Sequence, residues 1–343
     1  DPWAPTEALG RENRPPDNDR PRSVLWSHPE MSPIPFGTYT LLEAITYGLL
    51  LRKPPDAERW LAFLEAHSER PESIETWRAF LHNLRHLSLC DPVRSVRFIE
   101  RLLDRFKQLS DTTAWAAVLT HIWSFLPSDV LWRFLHAIRD GSWPDGPQAF
   151  GELVSLRYLA WSEDREAQAA VKSLLAPDDH RDELIPIRAG LAFTAAHMWS
   201  SPSHRSRATD LLANVVAVAE SRIAHAVMSI FSTANALVAD RDTHRLLQAI
   251  LECAATMRSA DSSYFAERLE DVLTAFPDLV FELCSAVVRL RSQDLTSAPV
   301  GFLRNTAHLT NMALTFQRLG GHYRSMGLEL FESLLDIGVR EAQ

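Results

Sequence analysis

A chain of 343 residues with 46% hydrophobic side chains has the apolar surface for a substantial core, which excludes wholesale disorder. Its net charge of −9 and pI of about 5.8 argue against a large phosphate-binding surface, since nucleic acid is held mainly by neutralising Lys and Arg, and leave room only for a local basic stripe. Three widely spaced cysteines, Cys90, Cys253 and Cys284, form neither a disulfide framework nor a CxxC clip, and they fit a reducing cytoplasm.

Residues 1–37 hold eight of the 20 prolines among mixed charges. Proline at that density removes backbone donors and forbids long helices, so an extended arm is expected, with Trp3, Trp26, Ile34 and Phe36 available to pin it to the body. From Thr38 onward the apolar residues recur with a period of about 3.6. Helices are predicted near 38–52, 57–68, 72–88, 92–109, 112–126, 129–140, 147–161, 163–176, 181–199, 203–219, 222–240, 243–259, 262–275, 278–291, 301–319 and 323–337. A helix pair therefore repeats about every 35–40 residues, the range of helical repeats. The expected fold class is all-α: an α-solenoid of stacked antiparallel helix pairs, HEAT- or TPR-like, over 38–343, preceded by the proline-rich arm over 1–37.

Pro71, Pro92 and Pro202 stand at first helical turns, where a missing N–H is tolerated. Ser110, Ser128, Ser162, Asp242 and Asp261 are predicted N-caps, and Gly338 closes the last helix. Helix 92–109 is expected to bury Val93, Val96, Ile99, Leu103 and Phe106 and to turn Arg94, Arg97, Arg101 and Arg105 outward. Around Cys253, ILECAATMR matches FELCSAVVR around Cys284 at a 31-residue offset, in keeping with the helix-pair period. The longest apolar stretch, Ile185 to Trp199, is interrupted by Arg188 and His197 and falls short of a membrane span, so no membrane association is expected.

Catalytic signatures are missing. None of Lys53, Lys107 and Lys172 follows a phosphate-cradling glycine loop, and no GxGxxG or GxSxG sequence occurs. His82, His86 and Cys90 share an i, i+4, i+8 spacing that could face a metal, but no fourth ligand or HExxH glutamate accompanies them. Asp178, Asp179, Asp182 and Glu183 surround His180; carboxylates there favour a helix N-terminus over an acid/base site. No catalytic, cofactor-binding or metal-binding residue is therefore expected, and the chain reads as non-enzymatic. Glu100 and Asp104 interleave the arginine stripe and allow pairing along the helix. The residues best suited to meet a partner are Arg94, Arg97, Arg101, Arg105, Arg205 and Arg207, with Trp143 in its GSWPDG turn. A protein partner comes first. Nucleic acid is the alternative, in a HEAT-like binding protein or base-repair enzyme with an Arg-rich concave face.

Only three of the 35 basic residues are lysine, a skew over the whole chain that matches GC-rich bacterial composition. The segment from His308 to Ala342, HLTNMALTFQRLGGHYRSMGLELFESLLDIGVREA, resembles the helical repeats near the C-terminus of large bacterial STAND/NACHT-type NTPases. That resemblance covers about a tenth of the chain and contains packing positions only, so no functional residue carries over. It implies a sensor or scaffold arm that recognises a trigger, often a foreign protein, with any NTPase or effector domain upstream of Asp1. Both ends of the chain read as cuts within a longer protein. The W-x2-L-G-x2-Y pattern of TPRs is absent.

Overall fold

The computed structural model describes residues 23–24, 38–68, 84–106, 127–141, 145–176, 181–260, 264–295 and 306–336. Every regular element among them is helical. In chain order these are α1 (Thr38–Leu50), α2 (Ala57–Ser68), a 3₁₀ segment (Leu84–Leu89), α3 (Pro92–Phe106), α4 (Ser128–Asp140), α5 (Gly146–Ala160), α6 (Arg165–Leu174), α7 (Leu184–Met198) and α8 (Arg205–Val216). There follow α9 (Ser221–Met228), α10 (Ile230–Thr233), α11 (Arg241–Glu252), α12 (Ala254–Ser259), α13 (Phe265–Leu269) with a 3₁₀ turn (Glu270–Val272), α14 (Pro277–Leu295), α15 (Thr306–Leu319) and α16 (His322–Asp336). Of the predicted arm over 1–37, only Ser23 and Val24 are described; predicted helix 112–126, most of 72–88, and Ser110, Asp261 and Gly338 lie outside the described residues.

Three predicted helices are broken; of these, 262–275 is reduced in its described part to α13 and the 3₁₀ turn Glu270–Val272. Helix 222–240 shifts at Ser229 and ends at Thr233, because the Ser229, Ser232 and Thr233 hydroxyls donate back to carbonyls three or four residues earlier. The chain then runs extended at Ala234, and the Leu237 N–H donates to Asp271 Oδ2 at 2.9 Å. Helix 243–259 breaks at Cys253, where the Ile250 carbonyl accepts both the Cys253 N–H at 3.2 Å and the Thr256 hydroxyl at 2.8 Å. The two cysteines of the apparent 31-residue match are thus unlike: Cys253 sits half-buried at this break, while Cys284 is fully buried inside α14.

The caps also differ from those expected. Asp164, not Ser162, accepts the Ala167 N–H at the start of α6, and Asp240, not Asp242, accepts the Thr243 N–H at the start of α11. Ser128 is the first residue of α4, and its hydroxyl donates to Glu166 instead. Among the described side chains of α3, Ser95, Phe98, Ile99 and Leu102 are buried and Val96 packs partly against the core, whereas Val93 is 59% exposed; the side chains of Leu103 and Phe106 lie outside the described residues. Ser95 explains this rotation: its hydroxyl donates to the Leu87 carbonyl of the 3₁₀ segment and so faces inward.

Packing is densest at α5 and α7, which bury nearly every side chain over two or three turns. Gly151 and Gly190 make that crossing close, since a Cβ on Gly151 would stand 2.0 Å from the Ile187 carbonyl oxygen and one on Gly190 2.2 Å from that of Gln148. Further on, α7 packs against α9, α9 against α12, α12 against α14 and α14 against α16, while α8 packs against α11 and α11 against α14. Buried Arg188 donates to the Leu174 and Ala176 carbonyls and so closes the C-terminus of α6. The last hairpin turns through Gly320 and Gly321, both at positive φ, and brings Gly327 of α16 against the Ala313 backbone.

Many of the polar contacts between separate elements share one spacing. Cys90 to Ala57 spans 33 residues, Arg133 to Glu100 33, Ser155 to Leu191 36, Arg101 to Glu65 36, Arg205 to Asp240 35, Arg245 to Asp210 35 and His308 to Glu270 38.

Candidate functional site

The arginines singled out in the sequence fall into two groups. On α3, Arg94 donates to Glu65 at 2.5 Å and to Glu58 at 2.7 Å, and Arg101 donates to Glu65 at 2.8 Å. Glu100, on the same helix, accepts from Arg133 of α4 at 2.7 Å. An ionic ladder thus joins α2, α3 and α4. The hydrogen bond from Arg94, aided by Arg101, holds the Glu65 carboxyl below its usual pKa despite partial burial. Arg97 is exposed and has no carboxylate partner among the described residues. Arg105 lies on the same helix with its side chain outside the described residues, and Trp143 lies outside them altogether.

The second group forms a seam of arginine and aromatic side chains along α5, α7 and α8. Arg205 lies over the Trp199 ring at 4.4 Å and donates to Asp240 at 2.9 Å. Arg157 lies over Trp161 at 4.6 Å and donates to Asp164 at 2.5 Å. Each acid is also the N-cap of the next helix, so one carboxylate serves a helix terminus and a guanidinium together. Arg207 stacks over Tyr158 at 4.6 Å and has no carboxylate partner among the described residues. Trp60, Trp132 and Trp199 are core residues; Trp60 and Trp199 satisfy their indole N–H on Thr46 and Thr209.

No group of three or more metal-ligating side chains occurs among the described residues. His86 packs edge-on to Trp60 within a 3₁₀ segment, and Cys90 Sγ donates to the Ala57 carbonyl, with burial pushing its thiol pKa up to about 11. His82 lies outside the described residues. Of the acidic cluster, Asp178, Asp179 and His180 are also outside; Glu183 precedes α7 and makes no side-chain cap hydrogen bond, so backbone turns serve that terminus.

Two features had no clear signature in the sequence. Glu152 of α5 is wholly buried and accepts from the Val24 N–H at 2.7 Å, the Ser23 hydroxyl at 2.8 Å and Gln148 Nε2 at 3.0 Å. Gln148 in turn accepts from Arg222 of α9. The second is an open groove of about 370 Å³ between α1 and α2, lined by Ile45, Gly48, Leu49, Arg52, Arg59 and Phe63. One faint signal pointed to it: α1 carries a single charged residue, Glu43, in 13 and is more apolar than one packed face requires.

No protein-family model matches the chain, and no curated protein or solved structure is significantly similar to it. No helix among the described residues is long and apolar enough to cross a membrane.

Proposed function

We propose that the chain is a non-enzymatic protein-recognition scaffold, a HEAT/TPR-like solenoid serving as the sensor or regulatory region of a larger bacterial protein of the STAND/NACHT type. The observation that carries this reading is the spacing of polar contacts between elements at 33 to 38 residues. Such a spacing is what stacked helix pairs produce when each unit bonds to the next, and stacked pairs present extended surfaces to partners. Internal pairing of Arg94, Arg101 and Arg205 favours a protein over nucleic acid, because a paired guanidinium has less charge to offer a phosphate.

The test sets affinity capture with the purified chain beside anisotropy titrations with labelled duplex DNA and single-stranded RNA. Stoichiometric capture of a protein, with nucleic-acid binding weaker than about 1 μM at physiological salt, supports the reading. Tighter nucleic-acid binding that is lost in Arg97→Glu/Arg101→Glu overturns it.

A further inference from the structure

The groove between α1 and α2 combines an apolar floor with positive charge that no carboxylate of the described residues pairs with. On α1, Leu41, Ile45 and Gly48 follow each other at steps of four and three residues and therefore share one helix face, and Arg52 stands two residues past the helix end. Leu41 is 62% exposed, and a Cβ on Gly48 would meet no atom within 4 Å. On α2, Arg59 and Phe63 sit one turn apart, with the His67 ring stacked on Phe63 at 4.1 Å. Arg52, Lys53 and Arg59 form no ion pair with a carboxylate of the described residues; the nearby Glu58 is taken by Arg94, and Asp56 accepts only from the Arg59 backbone N–H. Arg94, Arg101, Arg133, Arg157, Arg205 and Arg245 spend their charge on carboxylates, whereas Arg52 and Arg59 keep theirs beside an apolar groove, which gives that groove a net attraction for acidic groups.

We propose that this groove docks an acidic amphipathic helix of a partner protein, with apolar anchors on Ile45, Gly48, Leu49 and Phe63 and carboxylates on Arg52 and Arg59. The inference rests on reading the chain as a protein-recognition scaffold and names the surface and partner chemistry. From Leu41 to Gly48 the stripe runs about 10 Å, two turns, the length over which a bound helix presents anchors at i, i+4 and i+7. A small-molecule site encloses most of its ligand, whereas this groove is open to solvent along its length. Glycine within the stripe lets a partner backbone approach closely.

The experiment selects helical peptides from a displayed library on the full chain, then measures their affinity for the wild type, Arg52→Glu/Arg59→Glu and Gly48→Leu. Gly48→Leu fills the groove at an uncrowded helical position, so it reads out occupancy even if the charge reversal disturbs folding. Enriched peptides carrying Leu, Ile or Phe at helical spacing with flanking Asp or Glu, and losing at least about tenfold in affinity for either variant, support the proposal. Enriched peptides that bind both variants as well as the wild type overturn the groove and leave the recognition reading standing. Failure to enrich any peptide overturns both. Arginine-dependent binding of dodecanoate without peptide binding, or a dimer in light scattering that Gly48→Leu dissolves, assigns the groove to another occupant and overturns the proposal.

Discussion

Glu152 has no exposed surface, yet both its oxygens are engaged by donors from Ser23, Val24 and its own helix. A carboxylate in that position is held by its hydrogen bonds, and removing it strips a shared acceptor from the Val24 N–H and the Ser23 hydroxyl. Glu152→Ala is expected to cost about 1–3 kcal/mol in urea unfolding, with faster hydrogen exchange at the Val24 amide while α5 stays protected. A loss at least as large is expected from Gly151→Ala or Gly190→Ala, since each new methyl would collide with backbone and force α5 and α7 apart. Overpacking of that kind costs about 1–3 kcal/mol or more. Denaturation midpoints unchanged from wild type would show that the two helices can slide to make room. Cysteine reactivity gives a third check: burial pushes the Cys284 thiol up to about 12, so native protein at pH 8 should label at half-buried Cys253 and leave Cys284 intact.

Among the elements, α6 and α11 share one device. Burial raises the pKa of Asp164 and Asp240, but the cap N–H groups and the Arg157 and Arg205 guanidinium groups outweigh it, and both carboxyls end below the ordinary value of 3.8. A depressed folded-state pKa contributes stability that is complete above the unfolded value and disappears as pH falls through the folded one. The two caps should therefore hold from neutrality down to about pH 4 and fail below it, and Asp164→Asn should flatten the acid limb of a stability–pH profile. An unchanged acid limb would mean that other carboxylates govern it. These caps also mark where sequence reading stops. Ser162 and Asp242 had the right chemistry two residues from the true caps, but the choice was made by guanidinium groups in the preceding helix or in its neighbour. Helices such as α2 and α4 were legible because their apolar period and boundaries agree locally. The breaks at Ser229 and Cys253 were not, because apolar periodicity runs across them and the deciding bonds come from hydroxyls. The arginine stripe of α3 was visible as a pattern; that Glu65 neutralises two of its members depends on how α2 lies beside α3.

At the scale of the whole molecule, the described helices pack mainly on elements close to them in sequence, an arrangement expected to let one end be removed without unfolding the rest. The α15–α16 hairpin touches the rest through α13 and α14 and through the His308–Glu270 pair. Deleting residues 306–343 should leave α5, α7 and α9 protected in hydrogen exchange; uniform loss of protection would instead identify one cooperative core. Among the described residues, the Ser23–Val24 segment is the exception to neighbourly packing. Its hold on Glu152 joins positions 129 and 128 residues apart, passing over α1 to α4. Like a stitch between the first and last folds of a pleat, it closes that stretch of chain into a loop. Tension applied at Ser23 would then arrive first at α5, and the chain from Val24 through α4 would carry no load until the stitch gave way.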